Sequence, residues 1–244
     1  MDEVLKGLDF VMVYIDDILI ASRSPEEHKK HLRAVLERLI DNALQINVKK
    51  CVFGEEEVTF LGHVINSRGI SPIPEKVQAI KNFTKPKTFT ELRRFLGMVN
   101  FYRRNLKNAA TTQAPLNKFL INSKKNDKTP ILWNPEAEAA FEKVKEDLAQ
   151  ATLLVHPAPQ AKIRLISDAS DAAMGAALEQ QVLDGPWEPL AFFSRKFSAK
   201  QLRYSTYNRE LIAIFESIKY FRHILEACEF EFHTDHKPII YAFK

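Results

Sequence analysis

The stretch FVMVYIDDILIAS, residues 10–22, sets two adjacent acids in the middle of an otherwise almost wholly apolar run. Charged side chains are costly to bury unless paired, hydrogen-bonded or bound to metal, and neighbouring carboxylates also repel one another. The run must therefore turn at Asp16 and Asp17. Its Val, Ile, Tyr and Phe content favours strand, which predicts a β-hairpin with residues 10–14 and 18–22 as its arms and the acids at the connection. Two readings of the pair stay open at this level. Asp serves turns through its local hydrogen bonds, and paired carboxylates offer hard oxygen ligands to a divalent cation.

The 244-residue chain as a whole is of ordinary globular composition, 45% hydrophobic and 27% charged. Cys51 and Cys228 form neither a disulfide framework nor a metal-ligand spacing, which fits a reducing, intracellular setting and two buried thiols. No apolar segment approaches the roughly 20 residues of a membrane helix, and the first 15 residues lack a secretory pattern, so a soluble, unsecreted protein is expected. Charge is uneven: residues 1–128 hold 22 Lys/Arg against 15 Asp/Glu, and the other 13 and 16 fall in residues 129–244. Between Lys85 and Lys107, seven basic residues including Arg93, Arg94, Arg103 and Arg104 face one acid, Glu91. Such a run is either a phosphate-binding face or solvated helix surface.

Ser24, Pro25 and Glu27 spell a capped helix start, followed by Leu32, Val35, Leu36, Leu39 and Ala43 at helical spacing. His28 and His31 have no local third ligand and read as surface histidines. LQINVKKCVF and VTFLGHVI read as two short strands, and Gly69 marks a turn. Pro74 opens a short helix. A second capping box, Thr88 to Glu91, precedes a basic amphipathic helix whose stripe is Phe89, Leu92, Leu96, Val99 and Tyr102. A polar loop, NSKKNDKTP, leads to a helix opened by Asn134 and Pro135, and HPAPQ at 156–160 marks the next boundary.

From Lys162 onward the pattern is α/β. KIRLISDAS alternates Ile163, Leu165 and Ser167 against Arg164, Ile166 and Asp168; MGAAL and PLAFFSRKF supply two more strands. YNRELIAIFESIKYFRHIL is a long helix with Leu211, Ile214, Ile218, Phe221 and Leu225 as its expected core stripe, and EFEFHTDHKP is a fourth strand with Phe230 and Phe232 inward. Asp168, Glu210 and Asp235 thus fall at element ends of one unit. They are either separate turn and surface groups or a self-repelling cluster that holds metal, in which two ions about 4 Å apart would activate water and stabilise the leaving oxygen of a phosphodiester.

YIDDILIAS resembles the tyrosine-x-Asp-Asp hairpin in the palm of retroelement reverse transcriptases. TFLGHVIN and LRRFLGMVNFYRRN resemble the stretches that follow it in the pol polyproteins of gypsy-type long-terminal-repeat retrotransposons, and DASDAAMGAAL, FFSRKF, YSTYNRELIAI and HTDHKP resemble successive parts of the attached ribonuclease H domain. The resemblance implies an α+β palm remnant (1–70), a helical thumb (71–128) and a connection (129–160), followed by an incomplete α/β ribonuclease H-like domain with a mixed sheet (161–244). It implies RNA-directed DNA polymerase and RNA/DNA-hybrid ribonuclease H chemistry using Mg²⁺ or Mn²⁺. Asp16 and Asp17, with Asp16 the better metal ligand, match the palm acids; Asp168, Glu210 and Asp235 match three hydrolytic acids. The implied partners are a template-primer duplex, an RNA/DNA hybrid and a deoxynucleotide. Arg93, Arg94, Arg103, Arg104 and Lys107 fall in the thumb-like part, as candidates for backbone contact. Only 15 residues precede Asp16, and the chain stops soon after Asp235. Fingers, a further palm Asp and a final ribonuclease acid are therefore expected to be missing, and the isolated chain is expected to be inactive or very weak. The alternative is a catalytically dead nucleic-acid-binding or inert remnant.

Overall fold

The computed structural model describes residues 1–121 and 123–242. The chain divides into two units, Met1–Leu61 with Ile65–Ser67, and Gly62–Val64 with the chain from Arg68 onward.

In the first unit the hairpin forms as its apolar alternation dictates: β1 (Val11–Tyr14) pairs antiparallel with β2 (Asp17–Ile20). Ile15 occupies the left-handed region at φ 54°, and Asp17 is already in the ladder opposite Tyr14. Helix α1 (Pro25–Asp41) starts on Ser24, whose hydroxyl accepts from the Glu27 N–H, while the Glu27 carboxylate accepts from the Arg23 N–H. One orphan donor of the first turn, the Glu27 N–H, and the Arg23 N–H just before the cap are thereby satisfied. Val35 and Leu39 bury against Leu5, Phe10, Val11, Val13 and Ile18. His28 and His31 are not free surface groups. Both Nδ1 atoms meet Ser22 Oγ, at 3.1 and 2.9 Å, and the His31 ring stacks on Phe10 at 3.6 Å, tying α1 to the hairpin base.

Two strand expectations are corrected. LQINVKKCVF is irregular apart from a 3₁₀ turn at Val48–Lys50; its apolar residues are mostly exposed and do not alternate on one face. VTFLGHVI is two strands, β3 (Glu57–Phe60) and β4 (His63–Asn66), because Leu61 and Gly62 both take positive φ, 46° and 77°, and reverse the chain. β5 (Gly69–Pro72) follows, so Gly69 opens a strand.

In the second unit, five helices enclose one core: α2 (Pro74–Lys81), α3 (Phe89–Phe101), α4 (Ala109–Thr112), α5 (Ala114–Lys118) and α6 (Pro135–Ala149). Thr88 caps α3 by accepting from the Glu91 N–H, and Asn134 caps α6 by accepting from the Ala137 N–H. Leu92, Phe95, Leu96 and Val99 of α3 meet Phe141, Val144 and Leu148 of α6, with the Phe95 and Phe141 rings 4.7 Å apart. Burying these side chains removes the apolar stripe that both helices would otherwise expose.

The chain then builds a mixed four-stranded sheet of order β8-β7-β6-β9. β6 (Lys162–Ala169), β7 (Ala173–Gln181) and β8 (Trp187–Lys196) form an antiparallel meander. Helix α7 (Thr206–Leu225) crosses the sheet and delivers β9 (Phe230–His233) parallel to β6; α8 (Lys237–Ala242) follows. Ile163 and Leu165 of β6 are buried, and so are Met174, Ala176 and Leu178 of β7.

The α7 stripe differs from expectation. Its buried residues are Glu210, Ala213, Ser217, Phe221 and Leu225, whereas Leu211 and Ile218 are 37% and 36% exposed. Small side chains at 213 and 217 let the helix lie close on the sheet, and that rotation is the one that turns Glu210 inward. Cys51 and Cys228 are free and half-buried.

Candidate functional site

Parallel pairing of β6 with β9 ends at Ile166 opposite His233; Asp168 lies two residues further along β6 and Asp235 two residues past the end of β9, both at the carboxyl end of the sheet. Glu210 comes from the second turn of α7, the helix packed across those strands. One carboxylate oxygen from each of the three lies within 4.8 Å of the others. Asp168 and Asp235 face solvent, whereas Glu210 is buried, only 4% exposed.

That difference sets the electrostatics. Burial, with the Asp168 charge second, pushes the Glu210 carboxyl up to about 7; Asp235 adds to the rise, and the Ala169 N–H and Arg209 oppose it. Glu210 Oε2 is buried without a hydrogen-bond partner. An orphaned buried carboxylate oxygen beside two further carboxylates fits a divalent cation, whose charge would offset their repulsion and whose preferred ligands are oxygens. Residues that the charge pattern alone did not single out surround the group. Arg209 donates to Asp171 at 2.7 Å, and the His236 ring, next to Asp235, meets the edge of Tyr207 at 5.7 Å. Adjacency to the acids in YNRE and TDHK was the available signal.

Asp16 and Asp17 stand exposed at the hairpin tip, and among the described residues no third His, Cys, Asp or Glu joins them in a metal-sized group. The five basic candidates separate into two sets. Arg94, Arg104 and Lys107 are exposed. Arg93 donates to the carbonyls of Ser123 and Lys124 and to the Ser123 hydroxyl. Arg103 is half-buried: its Nε and Nη2 both donate to the Ser194 carbonyl, at 2.9 and 2.6 Å, and Nη1 donates to Asn100 Oδ1 at 2.8 Å. Desolvation lowers the Arg103 pKa from its ordinary value.

A mixed sheet crossed by one helix, with acids converging at the carboxyl end of two parallel strands, defines a ribonuclease H-like unit, here preceded by an acidic hairpin. Residues 133–232 match the RNase H-like domain found in reverse transcriptase, and residues 1–65 match the reverse transcriptase (RNA-dependent DNA polymerase) family. Both matches, and the relatives below, make the chain similar to the reverse transcriptase and ribonuclease H portion of gypsy-type retrotransposon polyproteins. It is 38% identical over 232 residues to the transposon Tf2-3 and Tf2-7 polyproteins of Schizosaccharomyces pombe, covering 94% of this chain. The chain spans 17% of the length of these relatives.

Among solved structures, it is similar to the foamy viral protease-reverse transcriptase dRH in complex with double-stranded DNA (TM-score 0.81, 23% identity, 98% of this chain and 42% of that one). It is also similar to the foamy viral protease-reverse transcriptase in complex with an RNA/DNA hybrid (TM-score 0.80, 24% identity, 95% and 31%). Asp16 and Asp17 lie within the 1–65 match, Asp168 and Glu210 within the 133–232 match, and Asp235 three residues past the latter. Both families generally use divalent metals. No helix among the described residues is long and apolar enough to cross a membrane.

Proposed function

We propose that Asp168, Glu210 and Asp235 form a divalent-metal site that hydrolyses the RNA strand of an RNA/DNA hybrid. The observation that carries this reading is the convergence of three carboxylates from three elements within 4.8 Å, with the buried one lacking a partner for Oε2. Mg²⁺ or Mn²⁺ bound there supplies an activated water and charge stabilisation for the departing oxygen. The protein's own contribution is placement. The sheet end holds Asp168 and Asp235 near one another, α7 holds Glu210 across from them, and burial favours the protonated, neutral form of Glu210 until a cation is present. With its carboxyl pushed up to about 7, Glu210 is partly protonated near neutrality, and a cation held by the three acids would compete with that proton.

In the same reading, Asp16 and Asp17 are the palm acids of RNA-directed DNA polymerisation, with Asp16 the principal metal ligand and a deoxynucleotide and template-primer duplex as substrates. The segment boundaries are those of a palm portion (1–70), a thumb (71–128), a connection (129–160) and a ribonuclease H-like domain (161–244). Arg94, Arg104 and Lys107 are the duplex-backbone contacts, supported by their exposure and charge; Arg93 and Arg103 support that face from within. Two free cysteines agree with an intracellular protein.

The test is Mn²⁺ titration of the 244-residue chain, followed by cleavage of a hybrid labelled on its RNA strand. Binding that Mg²⁺ displaces and Asp168→Asn abolishes is expected, with RNA cleavage above the Asp168→Asn background, however slow. Equal metal binding by the two proteins would overturn the site. Metal binding without cleavage, together with salt-sensitive hybrid binding, would identify a remnant that retains recognition alone.

A further inference from the structure

The ladder that carries Asp168 continues across β7 to β8. Asp168 pairs with Gly175 on β7, and Gly175 pairs with Ser194 on β8. One rung thus runs Ser194, Gly175, Asp168, and on its far side the Asp235 carboxylate, from just past β9, lies within 4.8 Å of that of Asp168. With strands about 4.8 Å apart, Ser194 lies only about 10 Å from the Asp168 backbone.

At Ser194 the rung is gripped from outside the sheet. Its carbonyl accepts from both Nε and Nη2 of Arg103, and its hydroxyl accepts from the buried Ala110 N–H at 2.8 Å. Asn108, which takes φ 55° at the start of α4, brings its side-chain oxygen to 3.1 Å from where a Cβ on Gly175 would stand. The middle of the rung is therefore roofed by the same short segment, and glycine there leaves room for it. Arg103 is itself fixed by Asn100, and the next residue, Arg104, is one of the exposed cations.

We propose that Arg103 is a positioning residue for the acid cluster. Its clasp on Ser194 fixes the rung from which Asp168 projects toward Asp235, and joins that rung to the segment bearing Arg104 and Lys107, so that duplex grip and metal site share one frame. The inference rests on the reading of the acids as a metal site. A paired guanidinium on one buried carbonyl suits this role, since a hydrogen bond from a charged donor is stronger than a neutral one and Lys cannot reproduce its fork.

The experiment compares the 244-residue chain with Arg103→Met and Arg103→Lys, at temperatures where circular dichroism shows all three folded. Two readouts are taken, Mn²⁺ affinity by calorimetry and amide hydrogen exchange. Outer residues that orient metal ligands typically change affinity 10–100-fold, and a loss of about tenfold is expected for Arg103→Met, with Arg103→Lys between. Exchange is expected to rise about tenfold at Asp168, Gly175 and Ser194 relative to the opposite end of the sheet, Lys162, Gln181 and Trp187. Wild-type metal binding with an unchanged affinity in both variants overturns the proposal, as does exchange that rises evenly over the sheet, the mark of a merely stabilising contact. Absence of Asp168-dependent Mn²⁺ binding in the unmutated chain overturns the metal-site reading instead. The exchange pattern then decides the clasp by itself: a selective rise sustains it and an even or absent rise ends it.

Discussion

Asp168 and Glu210 reach each other from a strand end and a helix, and the Asp168 charge reinforces the burial that keeps Glu210 protonated up to about pH 7. In the unfolded chain the same carboxyl titrates near 4.5. Between those values the folded state holds a proton that the unfolded state has released, so stability falls as pH rises. Below pH 4.5 both states are protonated and the contribution is fully present; above 7 it is lost.

A shift of that size corresponds to about 3 kcal/mol. Urea unfolding of the metal-free chain at several pH values between 4 and 8 should show this decline superimposed on other titrations. Glu210→Gln, neutral at all pH, should remove the decline and leave the protein more stable than wild type at pH 8. A Glu210→Gln curve parallel to wild type would assign the pH dependence elsewhere.

The same pair predicts how metal acts on stability. A ligand that binds only the folded state at 100 times its dissociation constant adds about 2.7 kcal/mol. Mn²⁺ should therefore raise the melting temperature at pH 7.5, EDTA should reverse the rise, and Asp168→Asn or Asp235→Asn should abolish it. The rise should shrink at pH 6, where the Glu210 proton competes with the ion. Equal stabilisation of wild type and Asp168→Asn would place the ion outside this cluster.

Much of this architecture is legible along the chain because local chemistry and tertiary packing agree. Ser24, Thr88 and Asn134 each announced a helix start, and each side chain accepts the bond its position requires. The alternation of Ile163, Leu165 and Ser167 against Asp168 likewise survives into the sheet. What was not legible depends on partners distant in sequence. The reversal at Leu61 puts an apolar residue in the left-handed region, where turn statistics favour Gly or Asn. The rotation of α7 follows from close approach to the sheet, which selected Ala213 and Ser217 over larger neighbours. Charge alone could not separate Arg103, spent on Ser194, from Arg104, left in solvent.

Gly69 offers a backbone test. It sits at φ 147°, and an added Cβ would come within 2.1 Å of the Leu154 carbonyl oxygen, because Ile70 and Leu154 exchange backbone hydrogen bonds at 2.7 and 3.0 Å. The obstacle is main chain, so rotamer changes cannot relieve it. Gly69→Ala should cost about 3 kcal/mol or more from the unfavourable φ and the lost bridge combined. A chemical denaturation midpoint unchanged from wild type would show that the strand accommodates the methyl group by moving.

The basic residues give the sharpest separation of binding from folding. Arg94, Arg104 and Lys107 are exposed, whereas Arg93 is tied to the carbonyls of Ser123 and Lys124. Each phosphate contact released reduces the slope of log affinity against log salt by about 0.9 on duplex DNA. Replacing Arg94, Arg104 and Lys107 together by Ala should flatten that slope by up to about 2.7 and weaken binding at low salt, with little change in unfolding midpoint. Arg93→Ala should do the opposite: the slope persists, while loss of charge-assisted bonds to the 123–124 loop costs roughly 1–3 kcal/mol of stability. Fluorescence anisotropy from 50 to 200 mM salt, the range over which such contacts change affinity by orders of magnitude, together with urea unfolding of the same samples, reads both quantities. A slope unaffected by the triple change but lost with Arg93→Ala would move the duplex contact from the exposed face to the loop that Arg93 holds.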